Sequence, residues 1–519
     1  MSASREKQDR QNLADSGVVD SKTIEAAEQK KKEQRSNTLY TVIGVVFLIF
    51  AVVAIIWRSN VIPKVATAAT VDGEKYTAGE VSFYYQNAYA GLVNNWSYMV
   101  SYLGLDTSSP LDGQTVNETA ASMLGVEAGQ TWRDYFLDQG LNQMATVQAA
   151  LKQAEAEGFV YPDSVQVQYE DSMASLQDTA AAYGMSVEDL LTTNFGSLMT
   201  EKIYGEHMLR LLKYNAYATA YEDSLTYSDS EIQAAYEADP DSYDVVSYEY
   251  AYISGAAEST TDADGNTVEP TEEESAAALD AAKATANNIL TAYQSGGDLE
   301  ALAEANEATY NKTESGAYSG SVLTEWLFDD ARKPGDSTVL ESGTTVYVAV
   351  FHDRYLEEYN TIDIRHILIQ PEAGELAEGD EGYEAEQEEL KAAAKARADE
   401  LLAQWKSGEA TEESFAALAM AESVDGSKYD GGLCTQVAQG QMVTAFNDWC
   451  FDESRKAGDT DVIETEYGYH VMYFVGENLP YWQTIVVTDL KVPDYSEWES
   501  SLAAQCTIER GSMGIKFVG

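Results

Sequence analysis

The stretch WLFDDARKPGDSTVLESGTTVYVAVF (residues 326–351) is matched without gaps by WCFDESRKAGDTDVIETEYGYHVMYF (residues 449–474), every position 123 residues before its counterpart. Trp326/Trp449, Phe328/Phe451, Asp329/Asp452, Arg332/Arg455, Lys333/Lys456, Gly335/Gly458, Asp336/Asp459 and Val339/Val462 are identical pairs. Self-similarity at a fixed period is the mark of a repeated supersecondary unit. The flanks repeat too. Alternating VVSYEYAYI from Val245 predicts a strand, followed by an acidic loop (255–275), an Ala-rich helix (276–293), a short helix (299–305) and a strand (344–351). The second round runs strand (362–369), acidic loop (371–389), helix (390–408), short helix (414–421), Gly-rich stretch and strand (469–475). Two copies of one β-α-rich module follow.

Upstream, residues 77–238 carry a helical period, clearest in 132–159 and 197–225. Pro162-Asp163 and Gly184 punctuate it, and Ser228 with Glu231 three residues on has the form of a capping box. Further upstream, residues 39–57 (LYTVIGVVFLIFAVVAIIW) form an uncharged run of 19 residues. About 20 apolar residues cross a bilayer. A secretory h-region is shorter, and the small-residue triplet Ala66-Thr67-Ala68 lies well beyond the run, so cleavage there is the weaker alternative. The basic cluster Lys30–Lys32 with Arg35 precedes the run and Trp57 ends it. The positive-inside rule puts the N-terminus in the cytoplasm and everything after Trp57 outside.

The chain has 519 residues and a formal net charge of −55 from 32 Lys+Arg and 87 Asp+Glu. Residues 1–37 hold eight basic and seven acidic side chains, so the acidic excess lies in the exported part. Such a surface argues against nucleic acid and against docking on anionic lipid. Cys434, Cys450 and Cys506 are too few for a disulfide framework, and whether Cys434 pairs with Cys450 is left open.

The second copy is where a family becomes recognisable. IRHILI (364–369), GGLCTQVAQGQMVTAF (431–446) and the GYH of 468–470 resemble the parvulin-type peptidyl-prolyl isomerases. The resemblance implies an antiparallel sheet surrounded by helices, no cofactor and no metal, and a rotamase site. In that site His366 and His470 are the paired histidines, with Thr465 the family's threonine and Asp425 in the place of Cys or Asp. It assigns Met442 and Phe446 to the proline pocket, with Gln441 in the G-Q-M stretch. Cys434 stands where Leu is usual and Val437 where Phe is common, which implies a shallower pocket. A metal bound by His366, His470 and Asp425 is the weaker alternative, because neither motif has ligand spacing on a shared helix. A purely structural histidine pair is the stronger one.

In the first copy Tyr250 takes the place of His366, Tyr347 that of His470 and Ser342 that of Thr465, and no G-Q-M stretch precedes Trp326. This copy resembles a degenerate parvulin module. Residues 70–85 (TVDGEKYTAGEVSFYY) resemble the chaperone domain of the SurA/PrsA-like foldases, which implies a helical cradle for unfolded chains. Phe83-Tyr84-Tyr85 and Tyr98/Tyr102 are equally candidates for its lining or for core. The loop 371–389 carries nine acidic and no basic side chains, which disfavours phosphopeptides.

The expected architecture is α+β and multidomain. It comprises a cytoplasmic tail (1–37), a transmembrane signal anchor (38–58), an all-α chaperone-like domain (70–242) and a degenerate parvulin-like domain (243–356). A parvulin domain (361–476) and a tail packing on the N-terminal domain (477–519) complete it, the tail with an amphipathic stretch around 498–504 and a strand in GIKFVG. The expected function is a membrane-anchored extracytoplasmic foldase of the bacterial secretion type acting on X-Pro bonds of unfolded secreted polypeptides. A non-enzymatic holdase or scaffold is the rival, and assembly as a homodimer is an open alternative.

Overall fold

The computed structural model describes residues 45–48, 61–261, 266–316 and 321–519. The expected cytoplasmic tail and, apart from residues 45–48, the apolar run 39–57 lie outside the described residues. Among the described residues no helix is long and apolar enough to cross a membrane. The chain divides into two compact units.

The first unit gathers the residues up to 158 with 171–214 and 501–519. It is not all-α. Strands β1 (Thr67–Val71) and β2 (Glu74–Thr77) form a hairpin, and the strand Ile508–Arg510 pairs antiparallel with β1. The turn is Asp72-Gly73, with φ of 48° and 83°. Two consecutive positive φ values are what a two-residue hairpin turn demands, and Asp-Gly supplies them. The third strand comes from the far end of the chain, so no local pattern announces the sheet.

The helix Ala78–Asn95 starts at a Thr77/Glu80 capping box, and the helix Trp132–Glu157 starts at Thr131 and ends at Gly158, φ 68°. The two pack closely at Gly140, where a Cβ would meet Tyr85 N at 2.8 Å. This packing separates the two tyrosine groups. Phe83, Tyr84 and Tyr85 are buried core, whereas Tyr98 is 84% and Tyr102 65% exposed. His207 is buried there too, its Nδ1 3.2 Å from the Tyr84 hydroxyl. The GIKFVG end is not a strand: Gly514–Phe517 is a 3-10 turn. Arg133 donates to the Ile515 and Val518 carbonyls at 2.9 and 3.1 Å, taking acceptors that a strand would have needed for pairing.

The second unit gathers 159–170 and 215–500 and contains both modules. In the first module β3 (Val245–Ser254) is followed by a small hairpin of β4 (Thr260–Thr261) and β5 (Thr267–Val268), then helices Glu272–Gln294 and Leu299–Ala305. Next come β6 (Thr309–Ser315), the helix Val322–Leu327, β7 (Ser337–Ser342) and β8 (Thr345–Tyr355). The sheet order is β6-β3-β8-β7, all antiparallel. The second module follows the same path. It runs β9 (Asn360–Ile369), helices Tyr383–Ser407 and Glu412–Glu422, β10 (Leu433–Val437), helix Thr444–Cys450, β11 (Thr460–Thr465) and β12 (Gly468–Pro480). Its order, β10-β9-β12-β11, repeats the first.

Alternation along β9 divides its side chains between two cores. Ile367 packs with Ala398, Leu401 and Phe415 of the two helices on one face. Ile362 and Ile364 pack with Phe446, Trp449, Met472 and Phe474 on the other. The acidic stretch after β9 is shorter as a loop than its sequence suggested, since the helix begins at Tyr383. Glu384 and Glu386 fall in its first turn, where negative charge is favoured. The Glu386 carboxylate accepts N–H bonds from Glu375 and Leu376 at 3.0 and 3.1 Å, drawing the loop back onto the helix.

After β12 the chain enters the helix Tyr481–Ala504, longer than the amphipathic stretch read from sequence and carrying Pro493 inside it. Trp482 and Val486 bury against Ile232 of the helix Asp229–Ala238, whose Ser228/Glu231 capping box is formed.

Candidate active site

The site lies on the β9/β12 face that carries Phe446. His366 stands opposite Met472 and His470 opposite Leu368, so the two histidines are diagonal neighbours on one face of adjacent strands. Their Nδ1 atoms are 3.1 Å apart and their rings stack with centroids at 5.2 Å. The Phe446 ring meets both edge-on, at 5.4 and 5.3 Å. Both histidines are 5% exposed, so each ring nitrogen needs a partner inside the protein.

Each finds one. Thr465, at the last position of β11, places Oγ1 2.8 Å from His470 Nε2. On the other side His366 Nε2 faces Ser427 Oγ at 3.1 Å and Asp425 Oδ1 at 3.4 Å. Asp425 is held at that place by the chain before and after it. Ser423 Oγ accepts the Leu368 N–H at 3.0 Å, and Val424 N donates to the Leu368 carbonyl at 3.1 Å. Asp425 itself caps the 3-10 turn Gly426–Asp430 by accepting the Ser427 N–H at 2.8 Å. The return into β10 passes through Gly431-Gly432, with φ of 66° and 74°. At Gly432 a Cβ would collide with the His366 carbonyl oxygen, which explains the double glycine.

Electrostatics follow from this enclosure. The hydrogen bond with His366 holds the Asp425 carboxyl well below the usual carboxylate range, with Ser427 assisting against the opposing effect of burial. Burial, reinforced by the charge His366 can carry, pushes His470 down to about 4. Burial raises the Cys434 thiol to about 11, Asp425 adding to it, and the Cys450 thiol to about 12. Both cysteines are free thiols and are poor nucleophiles. Among the described residues no three His, Cys, Asp or Glu side chains are arranged to hold a metal ion.

Of the residues singled out in the sequence, His366, His470, Thr465 and Asp425 come together in one row. Val437 and Phe446 are buried in the core beside it, with Cys434 and Met442 half-buried against them. Gln441 stands apart. It is exposed, and its Oε1 accepts the Ala438 N–H at 2.9 Å, so it shapes the loop before the helix Thr444–Cys450 rather than lining the pocket. Ser427 was missed. The only local signal was its place two residues after Asp425 in Asp425-Gly426-Ser427, an Asx-turn pattern.

Residues 352–477 match the family model for the PPIC-type PPIase domain. The chain carries a parvulin-type peptidyl-prolyl isomerase domain. This PPIase domain spans β9 to β12 and contains the whole histidine row. No curated protein matches the chain. Among solved structures it is similar to the peptidylprolyl isomerase PrsA of Bacillus anthracis, with 20% identity over 29% of this chain and 59% of that one, TM-score 0.18. It is also similar to PrsA of Bacillus subtilis, with 14% identity over 76% of this chain and 93% of that one, TM-score 0.29. A SurA-like chaperone of Campylobacter jejuni has 8% identity over 66% of this chain and 96% of that one, TM-score 0.14.

Proposed function

We propose that the chain is an extracytoplasmic foldase, anchored in the cell membrane through residues 39–57, whose PPIase domain isomerises X-Pro bonds of unfolded secreted polypeptides. The observation that carries this reading is the unbroken polar row Thr465–His470–His366–Asp425 set against the apolar Phe446 and Met442.

The chemistry asked of such a site is rotation about one amide bond. The barrier of about 18–20 kcal/mol is the loss of amide resonance. As the bond twists, the amide loses polarity, so an apolar wall that grips the proline ring favours the twisted form over the planar one. Phe446 and Met442 supply that wall, with Val437 and Cys434 behind it. The histidine row holds fixed dipoles beside the carbonyl and needs no reorganisation during the turn. Asp425 acts as an ionised acceptor for the row and forms no bond to substrate, a carboxylate being too weak a nucleophile for an unactivated amide. The acidic segment after β9 repels phosphate, so the substrates are unphosphorylated chains.

The first unit is proposed to hold the client, and the exposed Tyr98 and Tyr102 support that role by offering apolar bodies with polar tips. Uncatalysed isomerisation takes tens of seconds or more, long enough to limit folding. A protease-coupled prolyl-peptide assay on the full chain tests the enzyme: acceleration over background that His470→Ala removes is the expected result, and none would leave the holdase rival. Suppression of client aggregation, reduced in a Tyr98→Ala/Tyr102→Ala double variant, tests the holding role.

A further inference from the structure

We propose that Ser427 is a positioning residue that fixes the proton of His366 on Nε2 and, through it, the donor–acceptor order of the entire row from Thr465 to Asp425. This rests on the isomerase reading of the same site. Ser427 Oγ lies 2.5 Å from Asp425 Oδ1 and 3.1 Å from His366 Nε2. A hydroxyl has one proton to give. An ionised carboxylate only accepts, so that proton points to Asp425. Ser427 Oγ therefore meets His366 with a lone pair, and Nε2 of His366 must carry hydrogen.

The rest follows in sequence. With Nε2 protonated, Nδ1 of a neutral His366 is an acceptor. His470 Nδ1, 3.1 Å away, must then be the donor. Burial keeps His470 neutral above about pH 4, so its Nε2 is bare and accepts from Thr465 Oγ1 at 2.8 Å. The Thr465 hydroxyl receives the Tyr467 N–H at 3.2 Å and has two acceptors for its own proton, the Gly468 carbonyl at 3.5 Å and His470 Nε2 at 2.8 Å, of which His470 is much the nearer. Every hydrogen bond in the row points from Thr465 towards Asp425. Aligned dipoles add, whereas a mixture of tautomers cancels.

Without the hydroxyl of Ser427, His366 Nε2 keeps only the longer contact to the Asp425 carboxylate at 3.4 Å, which favours the same tautomer but holds it less firmly. Ser427 is held independently of its side chain, its carbonyl accepting the Gly432 N–H at 2.8 Å, so Ser427→Ala keeps the turn.

The test uses the full chain labelled with ¹⁵N in histidine. The four histidines, His207, His352, His366 and His470, give a spectrum that can be assigned ring by ring. Near pH 7 the expected result is one tautomer of each kind in the pair: His366 protonated on Nε2 and His470 on Nδ1. Ser427→Ala should raise the share of the opposite tautomer in both rings and lower kcat/KM about tenfold, the loss of one net hydrogen bond, with KM little changed. Ser427→Thr, which keeps the hydroxyl, should restore both. A wild-type His366 protonated on Nδ1, or ring spectra unchanged in Ser427→Ala, would overturn the proposal. An inactive wild-type chain would sink the isomerase reading instead, while the ring spectra would still decide the proton order.

Discussion

In the second module the Arg455 guanidinium lies 3.9 Å over the Trp449 ring, and in the first Arg332 lies 4.9 Å over Trp326. Asp459 accepts the Lys456 N–H at 2.9 Å, as Asp336 accepts that of Lys333 at 3.0 Å. Gly458 N reaches the Phe474 carbonyl at 2.8 Å, as Gly335 N reaches that of Phe351 at 2.8 Å. These are the residues that the internal repeat keeps, and they build the turn that feeds the last strand. The residues it loses are those of the site. Tyr250 lies opposite Ala349 on β8 just as His366 lies opposite Met472 on β12, and Tyr347 occupies the step held by His470. In place of the histidine row, Tyr248, Tyr250, Tyr252 and Tyr347 pack ring on ring, with centroids 5.7 to 6.4 Å apart. Burial and the neighbouring tyrosines raise the Tyr250 phenol. A frame needs only its turns and its cores, so it survives replacement of the polar row.

Substitutions at paired positions test how far the two modules differ. Phe446 is 3% exposed and bears on both histidines, whereas Leu323, its counterpart one repeat earlier, is only half-buried. Phe446→Ala should cost about 3–5 kcal/mol in denaturant unfolding of the second unit. Leu323→Ala should cost clearly less, and equal losses would mean that the two pockets are packed alike.

The pH profile gives the next largest effect. His470 binds its proton less readily when folded, at about 4 against 6.5, so the unfolded chain takes up protons between those values. Its contribution to stability is complete above about pH 6.5 and is lost as the pH falls towards 4, roughly 3 kcal/mol at full extent. Asp425, whose folded pKa is also depressed, adds a loss of the same sign at lower pH. Unfolding followed from pH 7 to 4 should show this slope in the wild type and a shallower one in His470→Gln. An unchanged slope would place the acid sensitivity elsewhere.

For catalysis, His470→Ala should reduce kcat/KM about 100-fold, the scale of losing a positioned polar group, while Tyr347→Ala leaves it unchanged. Loss of activity in Tyr347→Ala would show that the first module takes part in the reaction. The smallest effect concerns substrate. A phospho-Ser-Pro peptide should be turned over a few-fold less well than its unphosphorylated form in the same assay; a preference for phosphate would contradict the acidic segment after β9.

Much of this was legible in the chain because it is local or periodic. The repeat exposed two modules, alternation exposed β3, and the helix start at Ser228 carries its cap in sequence. The histidines, Thr465 and Asp425 were singled out by the resemblance to the parvulin-type isomerases. Gln441 could not be told from a pocket residue, because only the loop geometry shows its side chain spent on the Ala438 N–H. Ser427 escaped notice because its partner His366 is 61 residues away. Asp72-Gly73 was a readable hairpin signal, but the third strand of that sheet lies more than 400 residues on.

The duplicated module, the strand and helix order within it and the acidic surface could be read from the chain alone, since they rest on composition, period and spacing, whereas the residues of a rotamase site were implied only by the resemblance to the parvulin-type isomerases. Tertiary structure alone decided which tyrosines are core and which face water, which polar groups close into one row, and that the row runs through Ser427 to Asp425. Those outcomes depend on distances between residues remote in the chain, and hydrogen bonding and burial are functions of distance, not of order along the chain.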